Sequence, residues 1–231
     1  MRHLRLFLAA LCLSAGFFAP AGYAQTYSSE QIVAYVAKTP RQAENNIAPL
    51  VRYLTAPFKD DYDKAKAIAF WIASRIFYDE YLYDGSGSTY LFNGYRPQSV
   101  AKLLRSRAGI CADYANLFQA MCRKAGITAR VVHGYVYPAG KAFSASIRKN
   151  NGHAWNYFYY RGRKVYVDPT FMAGGRILAD KYINSSKRNR ALYEHRKENK
   201  KKSKTSGIYV YYFDFSYEDE IRSRKQVHRE K

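Results

Sequence analysis

Apolar positions in this chain change period several times, and each change marks an element. Residues Ser29 to Lys38 and Ala43 to Leu54 carry short helical patterns, interrupted by Pro40 and Pro49. Asp61 and Asp63 then open a run in which Ala65, Ile68, Ala69, Trp71, Ile72 and Ile76 recur every three or four residues, which predicts an amphipathic helix to about Tyr78 with Trp71 in its buried stripe. A short helix is predicted over Ser99 to Arg105. Gly109 breaks the chain before a second helix, Cys111 to about Ala125, whose inward stripe is Ala115, Phe118, Met121, Cys122 and Ala125 and whose stop is Gly126. Asp113 falls in its first turn and Arg123 and Lys124 in its last, as the helix dipole prefers.

Beyond Gly126 the period shortens to two. Thr128 to Tyr137 reads as a strand, and His153 to Tyr160 and Val165 to Pro169 read as two more, joined across Arg161-Gly162. With those two residues as the loop, Tyr160 pairs with Arg163, Trp155 with Asp168 and His153 with Thr170. His153 and Asp168 then become diagonal neighbours on one face, at a spacing their side chains can bridge. Ile208 to Tyr217 is a final strand candidate with Tyr209, Tyr211, Phe213 and Phe215 on one face, followed by a charged end expected to fray. Two stretches have no period: 79 to 97, rich in Tyr, Gly and Ser, and the polar segment 139 to 151. Long loops of this kind often form lids or binding walls.

The first 24 residues differ in kind. Arg2 and Arg5 precede an uncharged apolar run from Leu6 to Ala19, and Ala21-Gly22-Tyr23-Ala24 places small residues where a signal peptidase cuts. No later stretch approaches the roughly 20 apolar residues of a spanning helix. The expected product is an exported protein, periplasmic or secreted, in which residues 25 to 180 form one domain, 181 to 206 a basic connector, and 207 to 231 a strand and charged tail.

Charge narrows the partners. The chain carries +20, and +18 once the leader with its two arginines is removed. Residues 181 to 206 hold ten Lys or Arg against two Glu, so Lys181 to Lys204 suit an anionic envelope polymer or a membrane surface. Export makes specific nucleic-acid binding an improbable purpose. The mature chain keeps only Cys111 and Cys122, about 16 Å apart along one helix at 1.5 Å per residue, too far for a disulfide. Both are expected to be free thiols, Cys122 as a small core residue. Neither HExxH nor CxxC occurs, so no metal or other cofactor is implied, and His133 is expected to be packed within its strand.

The chemistry lies in the order Cys111, His153, Asp168. A thiolate, an imidazole that takes and returns protons and a carboxylate that orients the imidazole suffice for acyl transfer through a thioester. A free cysteine has a pKa near 8.5, and two features favour its charged form here: the helix start and a neighbouring imidazolium. The Cys111 backbone N–H is one expected oxyanion donor.

The blocks Arg107-Ala-Gly-Ile-Cys111-Ala-Asp-Tyr-Ala-Asn-Leu-Phe, Ala125-Gly-Ile-Thr-Ala-Arg-Val-Val-His-Gly-Tyr, Gly152-His153-Ala-Trp and Val167-Asp168-Pro-Thr resemble the transglutaminase-like superfamily over about residues 63 to 172. The resemblance implies an α+β, papain-like core in which N-terminal helices, the nucleophile helix among them, pack on an antiparallel sheet. It also implies a catalytic Cys111, His153 and Asp168 acting on protein or peptide amides, either as an acyltransferase or as a peptidase or amidase. A non-catalytic adaptor that holds envelope polymers or partner proteins is the alternative, since some members have lost catalysis. Relative to the animal cross-linking enzymes, the chain has no tryptophan between Trp71 and Cys111 and no recognisable calcium loop.

Overall fold

The computed structural model describes residues 27–79, 97–137, 152–174, 208, 210–215 and 226–229. The expected leader, the expected basic connector 181 to 206 and nearly all of the two segments expected as loops, 79 to 97 and 139 to 151, lie outside them. Among the described residues no helix is long and apolar enough to cross a membrane.

Helix α1 (Ser29–Val36) opens on a capping box in which Ser28 Oγ accepts from Gln31 N and Gln31 Oε1 accepts from Ser28 N. The pattern from Ala43 is broken into a 3-10 turn (Ala43–Asn45) and α2 (Ile47–Thr55), because the Asn46 side chain caps the first turn of α2 at Ala48 N. Pro49 is tolerated since it falls in that first turn, where its missing N–H leaves no helix bond unmade. Helix α3 (Asp61–Arg75) is capped by Asp60 and ends three residues before the expected Tyr78. The chain turns extended at Ile76, and β1 (Phe77–Tyr78) pairs in parallel with β2 (Ala108–Gly109) on the far side of α4 (Val100–Ser106). That two-residue ladder leads straight into α5 (Cys111–Lys124).

Helix α5 stops as expected. Gly126 takes φ +81°, and Ile127 N returns to Cys122 O at 2.9 Å. Strands β3 (Ala129–Tyr137), β4 (Gly152–Tyr160) and β5 (Arg163–Val167) follow, and β6 (Gln226–Arg229) completes an antiparallel sheet in the order β5-β4-β3-β6. The β4–β5 turn is the expected one: Tyr160 pairs with Arg163, and Arg161 and Gly162 both have positive φ, 48° and 77°, the geometry of a type I′ turn.

Two C-terminal expectations fail. Among the described residues of 208 to 217, Val210–Tyr212 winds as a 3-10 turn and Phe213 makes a single bridge to Val167 where a strand was expected. Phe213 and Phe215, two of the segment's aromatic residues, are both buried, Phe213 in the main core and Phe215 against Trp155 and Tyr166. The charged end, expected to fray, supplies β6, because β3 offers a free edge that backbone groups satisfy regardless of side-chain charge.

The core lies between α3, α5 and the sheet. Ile68, Trp71, Ile72, Phe118, Met121 and Phe158 are fully buried within it, each such large side chain contributing about 1.5–3 kcal/mol. Trp71 is thus a core residue, as expected. Its edge is tied by charge: Glu44 Oε1 accepts from Arg75 Nε at 2.9 Å and Trp71 Nε1 at 3.2 Å, Glu44 Oε2 lies 3.6 Å from Arg107, and the Arg107 guanidinium stacks 4.8 Å from the Trp71 ring. Glu44→Ala takes the shared carboxylate away from two arginines and leaves them their bonds to backbone carbonyls. It should lower unfolding stability by roughly 2–3 kcal/mol in chemical denaturation, and Glu44→Gln by less.

Candidate active site

Cys111 is the first residue of α5, and the residue before it is an isoleucine. A helix normally opens on Ser, Thr, Asp or Asn, whose side chain occupies the first free N–H groups. Ile110 has nothing to offer them. The reverse half of the cap is present instead: Asp113 Oδ2 accepts from Ile110 N at 2.9 Å. The N–H groups of Cys111 and Ala112 therefore meet no acceptor among the described residues, which leaves the positive end of the helix exposed to the sulfur.

Asp113 is fully buried, and it also fixes what comes before the helix. Its Oδ1 accepts from Gln98 N at 2.7 Å, while the Gln98 amide donates to Ala108 O at 2.9 Å and reaches Asp113 Oδ2 at 3.4 Å. The fit requires a glycine at 109, since a β-carbon there would stand 2.7 Å from both Cβ and Oδ2 of Asp113. Gly109 thus does more than break the chain, and neither this role nor Gln98 was legible from local pattern.

The sheet supplies the other two groups. On β4, Ala154, Asn156 and Phe158 face α5, and Asn156 Nδ2 donates to Ala115 O at 3.0 Å and Arg130 O at 3.2 Å, locking helix to sheet. His153 and Trp155 take the opposite face. Asp168 was expected to continue β5; the strand ends at Val167, and Asp168 becomes the N-cap of a one-turn helix, α6 (Pro169–Met172), with Pro169 at the first helical position. That change of role orients the carboxylate: Oδ1 accepts from Phe171 N at 3.0 Å, and Oδ2 meets His153 Nε2 at 2.6 Å.

With Nε2 so occupied, Nδ1 is the nitrogen left to face the sulfur, and Cys111 stands near enough to His153 to favour its charged form. All three expected residues are thereby brought together. Burial pushes the imidazole toward its neutral form, but the Asp168 charge and hydrogen bond, followed by Cys111, outweigh it and push the pKa from 6.5 up to about 10. The ring is stacked on Phe171 (4.5 Å between centroids, 15° between planes) and faces Trp155 (5.9 Å, 17°). Phe171 escaped the sequence reading, although its place three residues after a capping Asp-Pro was a usable signal.

The remaining candidates are peripheral. Cys122 is buried in the core, and burial, then the Asp61 charge, pushes its thiol well above the usual range. Cys111 and Cys122 are both free. His133 lies on β3 as expected, opposite Ala154 of β4, and is exposed. Among the described residues no cluster of His, Cys, Asp or Glu could hold a metal.

The sequence profile of the transglutaminase-like superfamily matches residues 48–169. Human kyphoscoliosis peptidase is 32% identical over 136 residues, covering 57% of this chain and 19% of that protein. The mouse kyphoscoliosis peptidase is 31% identical over 135 residues, with the same shares. The chain thus aligns to about a fifth of the length of these curated relatives. Among solved structures, the periplasmic domain of TgpA from Pseudomonas aeruginosa superimposes with a TM-score of 0.40 at 21% identity, over 61% of this chain and 47% of that one.

Three outcomes are expected. A folded-state pKa of about 10 against 6.5 means that the His153–Asp168 pair stabilises the fold fully below pH 6.5 and loses that contribution as pH rises through about 10. In Asp168→Asn, burial prevails, and the His153 ring followed by NMR should titrate below 6.5. Gly109→Ala drives Asp113 off the helix start and should cost about 1–3 kcal/mol in thermal or denaturant unfolding.

Proposed function

The chain belongs to the transglutaminase-like superfamily, and from that premise we propose that it is an exported, thiol-dependent enzyme that hydrolyses protein or peptide amides through Cys111, His153 and Asp168. The observation that carries this reading is the His153 ring, held at 2.6 Å by Asp168 through Nε2 and set beside Cys111, the first residue of a helix whose leading N–H groups are unspent.

The reaction runs in two halves. The Cys111 thiolate attacks the amide carbonyl carbon, and the electron pair moves onto oxygen, where the Cys111 and Ala112 N–H groups stabilise it. Collapse breaks the C–N bond, the amine departs with the imidazolium proton, and an acyl thioester remains. Water then attacks that carbon, giving its proton to His153; the C–S bond breaks, the acid leaves and the thiol is regenerated. Asp168 keeps the ring in the orientation both halves need. An amine in place of water would give transfer, but the relatives' name, peptidase, favours hydrolysis. The basic segment 181 to 206 would hold the enzyme to anionic envelope polymers.

One observation favours the second reading, a non-catalytic adaptor. Cys111 is only 1% exposed and His153 6%, so a substrate reaches the sulfur only if the site opens. Iodoacetamide separates the two. An enzyme whose site opens alkylates at Cys111 below pH 8, with Cys122 as the unreactive internal control, whereas an adaptor with a sealed cleft alkylates at neither. Incubating the protein with a glutamine-containing peptide and a labelled amine should then give mass changes from water that vanish in Cys111→Ala; amine incorporation would reassign the enzyme as a transferase.

A further inference from the structure

We propose that Phe171, backed by Tyr212, is a positioning residue that holds the His153 imidazole in the plane where one nitrogen meets Asp168 and the other meets Cys111. The inference deepens the proposed function and rests on it for the roles of Cys111 and His153.

A single hydrogen bond to Asp168 Oδ2 fixes one edge atom of the ring but leaves rotation about the N···O axis open, and such a rotation carries Nδ1 away from the sulfur. A flat contact on the ring's face removes that freedom. Phe171 provides it at 4.5 Å and 15°, whereas Trp155 on its neighbouring strand position is looser at 5.9 Å.

The shelf and the carboxylate form one unit. Asp168 is the cap of α6 and Phe171 its third residue, joined by the Phe171 N–H to Asp168 Oδ1 bond of 3.0 Å. Whatever aligns the acid therefore aligns the shelf. Both are braced by one distant segment: Tyr212 O accepts from Asp168 N at 2.9 Å, and the Tyr212 ring packs 5.2 Å from Phe171. Asp214 anchors that segment in turn, by a bidentate pair with Arg163 (2.6 and 2.7 Å) and a bond from Tyr62 Oη at 3.0 Å.

Core filling does not account for the residue. Pro169, Thr170 and Met172 of the same turn are buried, while Phe171 is only half-buried. Its ring stands at the boundary of the site, over the His153–Asp168 bond whose side chains are 8% and 2% exposed.

The test uses histidine-labelled protein and NMR, with Phe171→Leu, which keeps an apolar side chain and removes the ring, and Phe171→Tyr, which keeps the ring. Phe171→Leu should shift the His153 titration midpoint downward, speed exchange of its Nε2–H with water about tenfold, and slow Cys111 alkylation at neutral pH about tenfold or more. Phe171→Tyr should restore all three. Tyr212→Leu, which leaves α6 intact, should reproduce the exchange effect in part and stands in should Phe171→Leu fail to fold. A folded Phe171→Leu or Tyr212→Leu protein whose His153 titrates and exchanges as in the parent overturns the proposal. The labelled ring reports whether or not any amide is turned over, so an inert parent protein sinks the proposed function while the NMR comparison still decides this inference.

Discussion

The contact on which the site depends is the divided carboxylate of Asp168. One oxygen caps a helix of a single turn and the other holds a buried imidazole at 2.6 Å. Neither half suffices alone. A four-residue helix has too few internal bonds to persist without tertiary support, and a carboxylate free to turn would not select one ring nitrogen. Divided between them, it converts the end of β5 into a fixed acceptor and makes a buried, charged imidazole affordable.

The sulfur is held by an independent device with the same logic. Asp113 is fully buried and spends its oxygens on backbone N–H groups of Ile110 and Gln98, so the helix start is braced from behind while its front N–H groups stay free. A conventional Ser or Asp before Cys111 would have consumed them. Asn156 then registers α5 against β4 by taking Ala115 O, so that helix and strand cannot slide and part the sulfur from the ring. Aspartate, glycine and asparagine thus set distances here, where a purely apolar interface would permit sliding.

How much of this could be read from the chain depends on sequence separation. The pairing of His153 with Asp168 follows from counting back from a two-residue turn, and Cys111 at a helix start follows from the apolar period that begins beside it. What the period could not show is where a strand yields to a cap: Asp168-Pro169 ends β5 two residues early, and the end of α3 passes into a two-residue ladder with Ala108 and Gly109. Contacts across long separations left no local trace. Tyr62 meets Asp214 across 152 residues, and the charged end that forms β6 answers to an open strand edge and not to its own hydropathy. Gln98 and Phe171 belong with these, since their meaning comes only from the groups they touch.

Burial of the site sets the final constraint. A sulfur 1% exposed beside an imidazole 6% exposed enjoys strong electrostatics, because little water screens the pair. The same enclosure keeps an amide out. The proposed catalysis would need Cys111, His153 and Asp168 to hold their places as an amide enters, a demand that falls on the bracing by Asp113, Asn156 and Asp168. Bonds from fully buried side chains to backbone meet that demand, since each breaks only at the cost of an unsatisfied buried group. Such bracing keeps the sulfur, the ring and the carboxylate in register whatever moves around them.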